Sequence, residues 1–242
     1  MIALSIVIPA CNEERRLPST LRSILAYLGT AQWPSWEILI VDDGSRDGTA
    51  AAAEQFCVTN PAIRLLENPG NRGKGYSVRH GMLEAQGEWI LFTDADLSAP
   101  IEELDRLAEA ARRAGAAVAI GSRALNRSLI EVHQSFFRET AGRIFNLLMR
   151  GALGLPFADT QCGFKIFQCE AAREVFRRQR LERWGFDAEV LFIARKFGYR
   201  TIEVPVRWSH SEGTKVSMFR DSVNMFLDLL RIRWNQLRGL YR

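Results

Sequence analysis

Apolar residues in this chain come in short bursts, and each burst is followed by a polar cluster rich in acids or glycine. Leu4-Ser5-Ile6-Val7-Ile8, Ile38-Leu39-Ile40-Val41, Ile63-Arg64-Leu65-Leu66 and Trp89-Ile90-Leu91-Phe92 are too short for helices and rich in β-branched and aliphatic residues, so they predict strands. Between them the apolar spacing turns helical, over about 18–28, 50–57, the stretch ending near Ala85, and 101–114. Nearly continuous apolar strands alternating with helices predict a parallel sheet covered on both faces, that is, a doubly wound α/β fold. A fifth strand is expected at Ala117–Ile120. Beyond it the pattern changes to a long helix over Phe136–Leu153, a helix over Glu170–Arg178, another from Trp184 to Phe197, and a strand over Thr201–Trp208. In such a sheet ligands sit outside the carboxyl ends of the strands, which is where the polar clusters fall.

Composition changes the picture only by exclusion. With 47% hydrophobic and 25% charged residues in 242, the chain predicts one main core without extensive disorder. No run reaches the roughly 18 to 20 apolar residues of a membrane-spanning helix, and Met1-Ile2-Ala3-Leu4 enters a strand without a basic leader, so the expectation is a cytoplasmic protein. Cys11, Cys57, Cys162 and Cys169 lack zinc-like or redox spacing and read as reduced thiols. The net charge of +4 is uneven: from Arg173 onward there are 15 Lys and Arg against 8 Asp and Glu, and before it 17 against 20. That surplus suits a phosphorylated substrate, an anionic membrane surface or plain solvation; without a recognised motif or aromatic interleaving, nucleic acid is the least supported partner.

The chemistry centres on Thr93-Asp94-Ala95-Asp96-Leu97-Ser98. On extended backbone Asp94 and Asp96 would face one small volume at the end of the fourth strand, and two hard carboxylates suit Mg²⁺ or Mn²⁺ shared with substrate phosphates. Asp42 and Asp43 end the second strand ahead of a helix, as helix-start acids do; together with Glu13 they could instead hydrogen-bond a base or ribose. Gly70-Asn71-Arg72-Gly73-Lys74-Gly75 is not a Walker A loop, because Asn68 stands where glycine is needed and Gly75 where Ser or Thr is needed. Nor does Gly73-x-Gly75-x-x-Val78 complete a dinucleotide fingerprint. A basic loop beside a nucleotide remains, with an ordinary surface loop as the alternative.

Six stretches in order carry a resemblance: Val7-Ile8-Pro9 with Asn12-Glu13; Asp42-Asp43-Gly44-Ser45 with Asp47 and Thr49; Asn71-x-Gly73-Lys74-Gly75; Asp94-x-Asp96; Gly121-Ser122-Arg123; and Gln161-Cys162-Gly163-Phe164-Lys165. Together they resemble the inverting family 2 glycosyltransferases, and within them the polyprenyl-phosphate branch that includes the dolichyl-phosphate β-glucosyltransferases. The resemblance spans residues 5 to about 216. It implies a GT-A type fold, a Rossmann-like and mostly parallel sheet flanked by helices, with a transferase domain expected over 1–216 (nucleotide-sugar half 1–115, acceptor half 116–216) and an amphipathic helix over 217–242. It implies a nucleotide-sugar donor, UDP-glucose ahead of GDP-mannose, and a polyprenyl phosphate acceptor. Asp96 would ligate the metal with Asp94 against the donor; Pro9, Glu13, Asp42, Asp43 and Lys74 would line the nucleotide site. Lys215, in Glu212–Val216, would contact the diphosphate.

Acceptor chemistry decides whether a base is needed. An alcohol requires one, and Asp187, Glu189 and Asp159 are the candidates. A phosphate monoester, with a second pKa near roughly 6, attacks as a dianion once cations position it. Arg123, Arg138, Arg143 and Lys165 are the cations expected there, although Arg138 and Arg143 equally fit a solvated helix face. From Met218 to Tyr241 a broad apolar arc opposes Arg220, Arg231, Arg238 and Arg242. That helix suits a membrane interface, giving peripheral attachment on the cytoplasmic face, or packing on the core. Two departures from the resembling branch stand out: Cys11 replaces the usual aromatic residue before Asn-Glu, and no transmembrane helix is expected within these residues. Rival readings are a transferase acting on a hydroxyl, a sugar nucleotidyltransferase, which lacks its glycine-rich loop here, and a non-catalytic membrane-binding protein.

Overall fold

A computed structural model describes residues 2–132, 146, 147, 149–209 and 218–242. Strands β1 (Leu4–Ala10), β2 (Trp36–Asp42), β3 (Ile63–Glu67) and β4 (Trp89–Thr93) alternate with helices α1 (Leu17–Leu28), α2 (Thr49–Thr59) and α3 (Lys74–Glu84). Then come α4 (Glu103–Ala114), β5 (Val118–Ser122), β6 (Ile130–Val132), β7 (Phe164–Gln168), α5 (Cys169–Arg178), α6 (Phe186–Lys196), β8 (Thr201–Pro205), β9 (Trp208–Ser209) and α7 (Met218–Leu237). Seven strands form one sheet in the order β3-β2-β1-β4-β7-β5-β8, and β6 pairs with β9 in a small second sheet.

Period-two alternation divides the sheet's side chains between two cores. Leu4, Ile6 and Ile8 of β1, Trp89 and Leu91 of β4, and Phe164 and Ile166 of β7 face the layer formed by α1 and α4. Val7, Ile90, Phe92 and Phe167 face the layer of α3, α5 and α6, which Leu229, Ile232 and Tyr241 complete. Burial on both faces is why these strands read as continuous apolar runs.

The sheet is mostly parallel and flanked by helices, as expected; its one antiparallel strand is β7, which runs between β4 and β5 and pairs Phe92 with Lys165 and Ala119 with Ile166. Two expectations change. The expected strand over 201–208 divides: β8 ends at Pro205, Val206 N makes the last bond to β5 at Ser122 O, 3.2 Å, and Trp208 starts the pairing with β6. The aspartate pair is not on extended backbone. Strand β4 stops at Thr93, and Asp94–Ser98 turns, with Leu97 N donating to Asp94 O at 3.1 Å. Leu97 itself has φ +45°, a strained value for a bulky residue and one that clusters at functional sites. Of the expected helix over Phe136–Leu153, only 146, 147 and 149–153 fall among the described residues, and these are helical.

Candidate active site

The loops after β1 and β2 tie to one another. Asn12, at φ +53°, accepts from Arg46 N at 2.8 Å through Oδ1, and its own N–H donates to Ser45 Oγ at 2.9 Å. Glu13 N donates to Thr49 Oγ1 at 2.7 Å, while the Glu13 carboxylate receives Arg16 through Nε at 2.6 Å and Nη2 at 2.8 Å. Pro9 lies beside Val41 in the β1–β2 ladder. Asp42 folds back on Ser45, accepting from both its amide and its hydroxyl. The bonds of Asn12, Ser45, Thr49 and Asp42 are Asx- or hydroxyl-type loop bonds, which is why Asn, Asp, Ser and Thr crowd the sequence here.

Asp43 organises the glycine-rich loop. Its buried carboxylate accepts from Asn68 Nδ2 at 2.8 Å, Arg72 N at 2.9 Å and Gly73 N at 2.7 Å. Asn68, in turn, donates to Ser77 Oγ and bonds His80 Nδ1. Gly73 has φ +105°, and a Cβ there would lie 2.6 Å from Glu182 O, so both conformation and space require glycine. The loop delivers Lys74 at the first position of α3, with its Nζ 2.5 Å from Asp94 Oδ1 and 5.4 Å from the centre of the Trp184 ring.

Asp94 and Asp96 are both partly exposed in the turn after β4. Ser98 N donates to Asp96 Oδ1 at 3.0 Å, which closes the turn. Burial works against the charge of Lys74, but Asp94, then Asp187 and Asp96, more than offset it and raise its pKa. Among the described residues no group of three or more His, Cys, Asp or Glu side chains could hold a metal unaided. Asp94 and Asp96 share one turn, and Asp94 borders a cleft; carboxylates so placed could join phosphate oxygens in holding Mg²⁺ or Mn²⁺. The cleft floor is Thr93, Asp94, Ser98, Ala99, Cys162, Gly163 and Trp208.

Two further ion pairs stand behind this cleft. Lys165 points with Phe167 toward the α6 layer, where its wholly buried Nζ pairs with Asp187 Oδ1 and donates to Cys162 O at 2.7 Å. It also lies 5.1 Å from the Phe92 ring centre. Asp187 is 2% exposed; burial raises its pKa, against the opposing pull of Lys165 and Lys74. The expectation that Lys165 holds an acceptor phosphate is therefore corrected: a fully buried ammonium engaged on two acceptors does not reach the cleft surface. Arg123, following β5, makes a bidentate pair with Asp159, Nε to Oδ2 at 2.6 Å and Nη2 to Oδ1 at 2.9 Å. Burial alone would raise the Asp159 carboxyl; the Arg123 guanidinium instead holds it down to about 2. Glu203 of β8 clamps the backbone amides of Ala158 and Asp159 at 2.8 and 2.7 Å.

Glu189, the third carboxylate considered as a base, is wholly buried and faces away from the cleft onto Leu181 N, Arg180 N and the Tyr241 hydroxyl. Arg138, Arg143 and Lys215 lie outside the described residues. The broad apolar arc of α7 divides: Leu229 and Ile232 join the core, while Phe226, Leu227, Leu230, Trp234 and Leu237 are exposed. The sequence reading passed over Asn68, Trp184 and Trp208. Trp208 lines the cleft with its ring centre 5.4 Å from Arg123 Cζ, and Trp184 lies beside Lys74. A tryptophan next to Gly185-Phe186-Asp187 was the available signal for one of them.

Residues 5–176 match the family described as glycosyl transferase family 2. The dolichyl-phosphate beta-glucosyltransferase of Drosophila melanogaster is 38% identical over 253 residues, covering 100% of this chain and 77% of the relative. That of Homo sapiens is 36% identical over 250 residues, covering 99% and 77%. Among solved structures, glucosyl-3-phosphoglycerate synthase from Mycobacterium tuberculosis in complex with Mn²⁺, uridine diphosphate and glucosyl-3-phosphoglycerate matches with a TM-score of 0.68 at 18% identity, covering 96% of this chain and 80% of that one. Mannosyl-3-phosphoglycerate synthase from Rubrobacter xylanophilus matches with a TM-score of 0.69 at 17% identity, covering 98% and 74%. At these identities the structural likeness speaks for the fold, the GT-A type arrangement of a mostly parallel sheet between helices.

Proposed function

The chain belongs to glycosyl transferase family 2, and from that premise we propose that it transfers glucose from UDP-glucose to dolichyl or another polyprenyl phosphate, with inversion and with Mg²⁺ or Mn²⁺. The acceptor reading rests on one observation: the three carboxylates weighed as a base for a hydroxyl are all already engaged. Asp187 is paired with Lys165, Asp159 with Arg123, and Glu189 with two amides and a tyrosine hydroxyl. A hydroxyl acceptor would need one of them released as base. A phosphate dianion does not, and a single direct displacement at C1 inverts the anomeric centre. The names of the relatives support the same acceptor and sugar.

Asp96, with Asp94, would hold the metal, which when bound offsets charge on the departing nucleoside diphosphate. Lys74 supplies a second cation on the same side, and Asp43 fixes the loop that carries it. Pro9, Glu13 and Asp42 shape the loops around the nucleoside, with Lys215 assigned to the diphosphate. Arg123 keeps Nη1 outside its pairing with Asp159, available to a phosphate oxygen, and Arg138 and Arg143 are assigned to the same anion. Lys165 has a different role from a phosphate contact: it holds Asp187, and Asp187 in turn adds to the field on Lys74. The exposed apolar side of α7 would rest on a membrane at its cytoplasmic face, where a polyprenyl chain is reached.

The test is sugar transfer from UDP-glucose and from GDP-mannose to a short-chain polyprenyl phosphate with Mg²⁺ or Mn²⁺, for wild type and Asp96→Ala. Metal-dependent formation of a glucosyl phospholipid, abolished in the variant, is expected. Donor hydrolysis without a lipid product would reject the acceptor and return the search to hydroxyl acceptors.

A further inference from the structure

Glu189 sits in the first turn of α6, far from solvent, and makes no contact that the transfer reaction uses. Its carboxylate accepts from Leu181 N at 2.8 Å, from Arg180 N at 3.1 Å, and from the Tyr241 hydroxyl at 2.6 Å. Tyr241 is itself fully buried, edge-on to Phe192, and its oxygen accepts from Asn235 Nδ2 at 3.2 Å. The chain returns inward to place it because α7 stops in a left-handed turn. Gly239 has φ +71°, and Leu240 N bonds back to Asn235 O at 3.0 Å, as in a Schellman-type helix end.

The backbone that Glu189 holds is the wall of the glycine-rich loop. Tyr76 N donates to Glu182 O at 3.0 Å. Gln179 Nε2 bridges Gly75 O and Leu181 O, each at 2.8 Å. Contact is close enough that a Cβ on Gly75 would lie 2.7 Å from Leu181 O. Between the two glycines stands Lys74, aimed at Asp94.

We propose that Glu189 and Tyr241 are positioning residues for the donor side of the reaction: their hydrogen bond fixes residues 180–182, which fix Gly73-Lys74-Gly75 and so set Lys74 against Asp94. The segment after α7, some 50 residues from α6 in sequence, thereby governs the nucleotide-sugar site. The kinetic part of this proposal rests on the donor reading above, whereas the structural part does not.

The experiment uses the full chain and two mild variants, Tyr241→Phe and Asn235→Ala. Amide hydrogen exchange without any ligand is expected to speed up roughly tenfold at Arg180, Leu181 and Tyr76 in Tyr241→Phe, the size of one lost hydrogen bond to a charged group, and less in Asn235→Ala. In transfer assays the KM for UDP-glucose rises roughly fivefold to tenfold, while kcat and the KM for the polyprenyl phosphate stay within about twofold. Faster exchange confined to α7 and α6, with Tyr76 unchanged, overturns the proposal. So does a loss shared equally by donor and acceptor KM, because that is what general destabilisation gives. If the wild type transfers no sugar, the donor reading fails, and the exchange measurement still decides whether the latch exists.

Discussion

The carboxylate of Asp94 fills the space that a side chain at Gly163 would occupy; a Cβ built there overlaps its Oδ2. Gly163 ends the loop that enters β7, so the antiparallel strand brings a bare backbone position up against the turn after β4. The two stretches, nearly seventy residues apart, are one local structure.

Gly163→Ala should therefore push Asp94 away from Lys74 without unfolding the protein. Overpacking of this kind costs about 1–3 kcal/mol of stability, whereas a shift near 1 Å in a reacting site can cost roughly 10²-fold in rate. The expected outcome is a modest fall in thermal midpoint with a far larger fall in kcat/KM for sugar transfer. Activity within a few-fold of wild type would mean that the position of Asp94 is not critical.

Lys165 and Asp187 form a buried pair between β7 and α6. Removing one partner strands the other charge, typically at a cost of about 3–5 kcal/mol, while replacing both with apolar residues can be neutral. Lys165→Met should be strongly destabilising at neutral pH and less so in acid, where the abandoned Asp187 can take a proton. The double variant Lys165→Met/Asp187→Leu should regain most of the lost stability in chemical denaturation but not the transferase activity. Regained activity would show that the pair serves the fold alone.

How much of this was legible in advance depended on whether the physics was local. Strand and helix periodicity located β1–β5 and α1–α6 to within a few residues, because burial on both faces leaves a clear apolar pattern. Strand β7 carries an equally apolar alternation, Phe164-Lys165-Ile166-Phe167, yet no periodicity states that it inserts antiparallel between two parallel neighbours. That insertion is what buries Lys165, so its role as a surface phosphate contact was misread for the same reason. The partners of Asp159 and Glu189 were equally hidden: Arg123 and Tyr241 lie 36 and 52 residues away, and pairing over such separations is set by topology. Asp94 and Asp96 are singled out by residue type and spacing, but a turn rather than an extended strand carries them.

The Arg123–Asp159 pair gives a pH signature whose sign follows from the carboxylate. Its folded pKa, about 2, lies below the ordinary 3.8, so the folded state binds this proton less readily than the unfolded state does. The stabilisation is fully present above about pH 4 and is lost as pH falls toward 2, with a size of about 2 kcal/mol. Asp159→Asn should thus be less stable than wild type by that order near pH 6, and the gap should close by about pH 2. Denaturant melts of both proteins between these limits check it; a gap independent of pH would assign the loss to packing rather than charge.

The helix α7 offers the last test because its two sides do different things. Leu229 and Ile232 are buried, yet Leu230, Trp234 and Leu237 on the other side are 57%, 60% and 80% exposed, with Arg231, Arg233 and Arg238 alongside. Apolar groups flanked by cations bind anionic lipid surfaces by adding hydrophobic insertion to electrostatic attraction. Leu230→Asp/Trp234→Asp removes apolar area and adds two negative charges without touching the core side. Sedimentation with vesicles of mixed neutral and anionic lipid should show binding by wild type that weakens with salt, and at least roughly tenfold weaker binding by the variant. Transfer to a short, water-soluble polyprenyl phosphate should be preserved in the variant, while transfer to a long-chain acceptor in vesicles should fall. Equal vesicle binding by both proteins would remove α7 as the membrane contact, since no other property of the variant could restore what the substitutions take away.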